Sequence, residues 1–277
     1  MLLRGANDVN KTMLIAATNG YIDIVRLMLL HGADNIENAK YKAACRGHIE
    51  IVHLLLISTA DISDISKSTN ITNIYTVTPQ IKPTNTYTID DMTNAIECND
   101  IDLVNQILTN GFKETNTGLC FAASLGHIDI VQLMLDNGID VMDWSIIIAA
   151  ENGYIDIVQL LLKRNITKTN NAMFRAATNG HIEIVQLMLD NGATDLNNTI
   201  FTTAYIGYID IVQLLLDSGA DDLNSTMISA VLGRHINIVQ LLLDKGADNV
   251  NDAMREAVEN NYTEIVQLLL DHGADGI

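Results

Sequence analysis

The chain has 277 residues, with 34 acidic against 16 basic side chains, a formal charge of −18 and a pI near 4.5. That balance excludes binding to nucleic-acid phosphates or an anionic membrane, both of which need a basic face. Cys45, Cys98 and Cys120 are odd in number and lack C-x-x-C spacing, as expected of reduced thiols in an intracellular setting, cytoplasmic or nuclear.

Met1–Met13 aligns with Leu242–Met254, setting Gly5-Ala6 on Gly246-Ala247 and Val9 on Val250. The chain therefore opens in the register of the last turn of a helix whose beginning is absent. Either an upstream segment is lost or the polar face of the first unit serves as its own cap. The opening residues lack the apolar stretch of a signal peptide, and no apolar run approaches a membrane span. From Ile24 onward an Ile-Val step recurs at Ile51, Leu103, Ile130, Ile157, Ile184, Ile211, Ile238 and Ile265. Every step is 27 residues except the 52 between Ile51 and Leu103, which makes nine units with about 25 extra residues after the second. Self-similarity of this length predicts a stack of supersecondary units rather than one globular core.

Residues 62–88 form the interruption. They hold Pro79 and Pro83, many Ser, Thr, Asn and Ile, and none of the repeat's apolar columns. Residues 70–77 are rich in β-branched side chains, but the prolines argue against a central strand. The segment reads as a loop, either simply mobile or a projecting binding element. The organisation is thus 1–61, a partial repeat and two full ones; 62–88, the insert; and 89–277, seven repeats.

Each unit holds two helices. In the second, illustrated by Ile209–Leu216, only Asp210 and Gln213 are polar, so this helix is expected to be buried on several sides. In the first, a column of good cap residues (Asn38, Asp90, Thr117, Asn171, Asn198, Ser225, Asp252) is expected to begin the helix. Met, Leu or Ile follows, and then paired alanines such as Ala122-Ala123 and Ala176-Ala177 that let neighbouring helices approach closely. The turn between helices carries Gly20, Gly47, Gly126, Gly153, Gly180 and Gly207. Asn99 and Asn261 suit the same left-handed backbone, and Gly233 is expected to absorb the turn where Arg234 stands.

The residues that tempt a chemical reading repeat too evenly for one. His48, His127, His181 and His235 share a column with Tyr21, Tyr154, Tyr208 and Tyr262. Copies about 10 Å apart cannot meet on one zinc ion, whose ligands stand about 2 Å away. A ring closing the inter-helix turn is the structural expectation. Asp136, Asp190, Asp217, Asp244 and Asp271 form a solvated acidic edge, with a docking surface for a basic partner as the other reading. No phosphate-binding, hydrolase, metalloprotease or kinase motif occurs. No catalytic residue, metal or cofactor is expected, and the chain reads as a non-enzyme.

The order Gly-His-Ile-Asp-Ile-Val-Gln-Leu-Met-Leu at 126–135, with its copies at 153, 180 and 207, strongly resembles ankyrin repeats. So do the trailing Gly-Ala-Asp steps at 32–34, 219–221, 246–248 and 273–275. The Asn/Ile/Asp-heavy style resembles the ankyrin arrays of giant viruses. The resemblance implies an all-α, ankyrin-type helix-turn-helix solenoid of about nine repeats. It also implies a protein-protein interaction scaffold, monomeric, with a viral protein engaging a host protein as one form of it. An architectural spacer without a specific ligand, or an enzyme, is the alternative.

The chain departs from the family in one respect. Its unit is 27 residues where an ankyrin repeat has about 33, and the T-P-L-H motif is absent. From Gly219 to Ser225 the chain advances only six residues, too few for a β-hairpin. Bare helix pairs with shortened or missing fingers are expected. The partner surface then falls on three variable positions of each first helix, on the concave side of the stack. Phe121, Leu125, Tyr205, Ile206 and Leu232 are apolar there, and Lys42, Arg46 and Arg175 are cations in an acidic chain, so these eight are the candidate binding residues.

Overall fold

The computed structural model describes residues 6–46, 48, 50–52, 54–55, 87–112, 116–164 and 167–275. Among them every regular element is a helix. The residues fall into two compact units, 1–113 and 114–277.

In the second unit the helices alternate as the repeat predicts. First helices run Asn116–Leu125, Asp143–Glu151, Thr169–Thr178, Leu196–Ile206, Leu223–Leu232 and Val250–Glu259. Second helices run Ile128–Asp136, Ile155–Leu162, Ile182–Asp190, Ile209–Asp217, Ile236–Asp244 and Thr263–Asp271. Each first helix packs on its own second helix and on the first helix of the next repeat, and the second helices also meet their neighbours. The apolar columns explain this. Met173, Ala176 and Ala177 are fully buried on a first helix, as are Val212 and Leu215 on a second. Small alanines bring the first helices close, and truncating a buried leucine such as Leu161 or Leu215 is expected to cost about 2–5 kcal/mol.

The first unit contains first helices Ala6–Thr18, Ile36–Cys45 and Ile89–Glu97 and second helices Ile22–Leu30 and Ile101–Thr109, with helical residues at 50–52 and 54–55. The repeats on either side of the insert stack directly. The Tyr41 hydroxyl donates to Asp100 Oδ2 over 2.8 Å, and the Lys42 ammonium donates to Glu97 Oε2. The 52-residue step is therefore an insertion into an otherwise continuous stack in this unit. The insert reading itself falls outside the described residues up to 86. Tyr87 is already buried, and Thr88 forms a reciprocal capping box with Asp91 at the start of the next helix.

The first helices begin one turn earlier than the cap column predicts. Asp222, not Ser225, precedes the helix at Leu223, and its side chain accepts the Ser225 amide over 3.1 Å. Asn198 and Ser225 are the third residues of their helices. The crossing from Gly219 shrinks to Ala220, Asp221 and Asp222, which leaves no room for a hairpin finger.

The turn expected of Gly233 is made by Arg234 instead, at φ +63°, as Asn99 and Asn261 make theirs at +54° and +59°. Gly233 serves another purpose: a Cβ there would collide with the Tyr205 carbonyl of the preceding repeat. The glycine lets the two first helices come together.

Candidate partner surface and inter-repeat joints

Without hairpins, side chains must join neighbouring repeats. A column of asparagines near the start of the first helices, the second helical residue at Asn170, Asn197, Asn224 and Asn251, does so. Asn197 Oδ1 accepts the backbone amides of Asp221 and Asp222 at 3.1 and 3.4 Å, and its Nδ2 donates to Asp221 Oδ1 at 2.8 Å. Asn224 makes the same clasp on Asp248 and Asn249, and Asn10 on Asp34 and Asn35. Asn170 and Asn251 reach the linker amides 24 residues on in the same way. Where the column holds Asp143, its carboxylate accepts the Thr167 hydroxyl instead, at 3.2 Å. The signal, Asn recurring at 27-residue spacing, stood in the sequence, but its partner 24 residues away was visible only once the repeats were stacked.

The ring column forms the second joint. Rather than closing their own turns, the rings of His48, Tyr154, His181, Tyr208 and His235 lie over the turns of the preceding repeats. Nε2 of His48, His181 and His235 hydrogen-bonds the carbonyl oxygens of Thr18, Glu151 and Tyr205 at 3.0–3.1 Å. Tyr154 and Tyr208 cover Gly126 and Gly180 similarly. Arg234 completes the pattern by placing its guanidinium over the Tyr262 ring, 5.6 Å from the centroid. His127 is half-buried, and desolvation pushes its imidazole below the ordinary value of 6.5.

The acidic edge is built from i,i+4 pairs. Gln132, Gln186, Gln213, Gln240 and Gln267 each donate Nε2 to the aspartate four residues on, at 2.7–2.9 Å. At Asp217 the Gln213 amide, joined by Lys245 at 3.2 Å, holds the carboxyl below its usual range. Among the described residues no three His, Cys, Asp or Glu side chains gather as a metal site, and no helix is long and apolar enough to cross a membrane.

The eight candidate residues divide by environment. Tyr205, Ile206 and Leu232 are 56%, 37% and 42% exposed. They are brought together because the Leu196–Ile206 and Leu223–Leu232 helices pack side by side. Phe121 and Leu125 are half-buried on the Asn116–Leu125 helix. Arg175 is exposed and stands 3.7 Å from Glu151 of the preceding first helix. In the first unit Arg46 is exposed, whereas Lys42 is largely covered and committed to Glu97. Trp144 and Met142, 53% and 42% exposed where a first helix begins, escaped the sequence reading because they interrupt columns that are polar or variable elsewhere.

Paired helices stacked in register through small-residue columns, with side-chain joints between copies, define a helical repeat solenoid. A family model of ankyrin repeats in three copies matches residues 92–171, 146–226 and 200–276, and a single ankyrin repeat model matches 10–40. The chain belongs to the ankyrin repeat family. Among solved structures it is similar to the human ASB11 ankyrin repeat domain, with a TM-score of 0.57 and 17% identity over 67% of this chain and 99% of that one. At that identity the likeness is one of fold. No curated protein matches the chain in sequence. Ankyrin repeats are generally protein-interaction modules.

Proposed function

We infer that the chain is a binding array that captures a protein partner on the face of its first helices, with Tyr205, Ile206 and Leu232 at the centre. The observation that carries this reading is the clustering of three large apolar side chains, each more than a third exposed, on two adjacent first helices whose core columns are buried. Aromatic and aliphatic anchors of this kind dominate protein interfaces. The closer packing of the first helices supports placing them on the concave side. Phe121, Leu125 and Arg175 extend the surface along neighbouring repeats of the second unit, and in the first unit Arg46 is an exposed cation on its own. Lys42 contributes by holding the repeat in place rather than by contact. An intracellular protein target fits the odd number of cysteines and their lack of C-x-x-C spacing, and a viral chain engaging a host protein fits the composition.

Cross-linking capture from host-cell lysate tests the reading. Tyr205→Ser combined with Ile206→Ser is expected to lower recovery of the specific partner about tenfold or more, with the helical signal unchanged. Equal recovery by the variant would remove these residues from the site. Absence of any saturable partner would favour a spacer.

A further inference from the structure

Within the second unit, the acidic edge reverses its charge at a single repeat. The ends of the second helices carry exposed Asp136, Asp190, Asp217, Asp244 and Asp271, but the same position in the repeat between the first two is Lys163. Gln159 therefore has no carboxylate four residues on, unlike its counterparts. Arg164 follows where the neighbouring repeats have Asn137 and Asn191, and Lys168 stands where the next two have Asp195 and Asp222. All three cations are exposed. The other cations of this unit are engaged: Arg175 near Glu151, Lys245 with Asp217, Arg255 with Asp252, and Arg234 over the Tyr262 ring. Among the described residues the side chains of Lys163, Arg164 and Lys168 have no such partner.

Apolar surface adjoins them. Met142 and Trp144 are 42% and 53% exposed where the Asp143–Glu151 helix begins. Thr167 donates its hydroxyl to Asp143 Oδ2 at 3.2 Å, so Lys168 and both apolar residues are each one position from the same contact. Arg164 precedes Thr167 by three residues, which bounds their separation at about 11 Å.

We propose that Lys163, Arg164 and Lys168, with Met142 and Trp144, form a second docking surface that takes an acidic segment of a protein partner carrying a large apolar side chain. Charge complementarity selects the occupant. Three free cations in a chain of net charge −18 favour carboxylates, and the nearest acids are Asp143, turned onto Thr167, and exposed Asp140. Asp136 and Asp190 bracket the spot one repeat to either side, about 10 Å away, and repel an acidic segment that slips out of register. A peptide fits better than nucleic acid because Met142 adds aliphatic contact beside Trp144, and the net charge opposes a long polyanion. This surface lies on the linker edge and is independent of the Tyr205, Ile206 and Leu232 cluster.

Trp144 is the one tryptophan of the chain, so its emission reads the site directly. The probe is a synthetic peptide of Asp and Glu around a central Phe-Leu, titrated into the full chain up to about 1 mM, a range that reads weak binding. A saturable shift in emission is expected, with a midpoint weakened about fivefold or more when salt rises from about 0.05 to about 0.5 M. Lys163→Asp, Arg164→Asn and Lys168→Asp together install the residues that the following repeat carries as Asp190, Asn191 and Asp195, so the helical signal should persist while binding falls about tenfold or more. Trp144→Asn, the residue at Asn171 and Asn198, should lose binding similarly, read by anisotropy of the labelled peptide. Tyr205→Ser with Ile206→Ser should bind the peptide unchanged, which separates this surface from the first-helix face. No saturable shift, or unchanged affinity in the triple variant or in Trp144→Asn, would overturn the proposal. So would tighter binding of a single-stranded oligonucleotide of equal length, or an emission shift that follows chain concentration without peptide, which would assign the spot to nucleic acid or to a second copy.

Discussion

His181 lies across the turn of the preceding repeat, its Nε2 3.1 Å from the Glu151 carbonyl oxygen and its ring packed on Gly153. The glycine answers two demands. Its φ is +79°, and a Cβ there would come within 2.6 Å of the His181 ring.

Gly153→Ala should therefore destabilise the stack more than Gly192→Ala. Gly192 has a similar φ of +86°, but a Cβ there meets nothing within 4 Å. Left-handed backbone alone costs an alanine about 1 kcal/mol, and displacing the ring adds about 1 kcal/mol or more. Urea midpoints of the two variants check this, and equal shifts would refute the role of the ring. Comparing variants of one array limits the error from incomplete two-state behaviour.

The asparagine clasp replaces the joint that hairpins would have made. Asn197→Ala should cost about 1 kcal/mol and expose the Asp221 and Asp222 amides to faster hydrogen exchange. Asn197→Asp keeps the acceptor but loses the donor and sets a carboxylate against Asp221, so it should be no better at neutral pH and should recover in acid. Asn198→Ala, next in sequence, removes only a 3.2 Å contact to Asp195 within its own repeat, and Asp221 and Asp222 exchange should not change.

Acid should weaken the fold through His127. Its folded pKa lies below the ordinary 6.5 because burial disfavours the cation, so the unfolded chain binds the extra proton more readily. The stabilising contribution is complete above the unfolded value and is lost as pH falls below 6.5 through the folded one. His127→Tyr, a residue the same column carries at Tyr154 and Tyr208, should show a smaller drop in urea midpoint on acidification. An identical drop would assign the acid limb to other groups.

Much of the helix architecture was legible because it is local. Ile211-Val212 and Leu214-Leu216 repeat at helical spacing, and Ala176-Ala177 marks the face that needs close approach, so burial followed from pattern alone. The cap column misled because Ser225 suits two positions, cap and third helical residue. Asp222, also a good cap, takes the first and uses its carboxylate on the Ser225 amide. Within the candidate site, exposure of Tyr205, Ile206 and Leu232 agreed with their variable columns. Lys42 looked like an available cation, yet its partner Glu97 lies 55 residues away on the far side of the insert.

By itself the sequence determined the period, the helix pair, the absence of room for fingers and the family, since each depends on residues within one repeat. The tertiary structure alone decided what joins the repeats: Asn197 to the Asp221 linker, His181 to the Glu151 turn, Gly233 against the Tyr205 carbonyl. The reason is physical. These contacts link residues 24 to 30 positions apart, and no local pattern encodes a distance that only stacking creates.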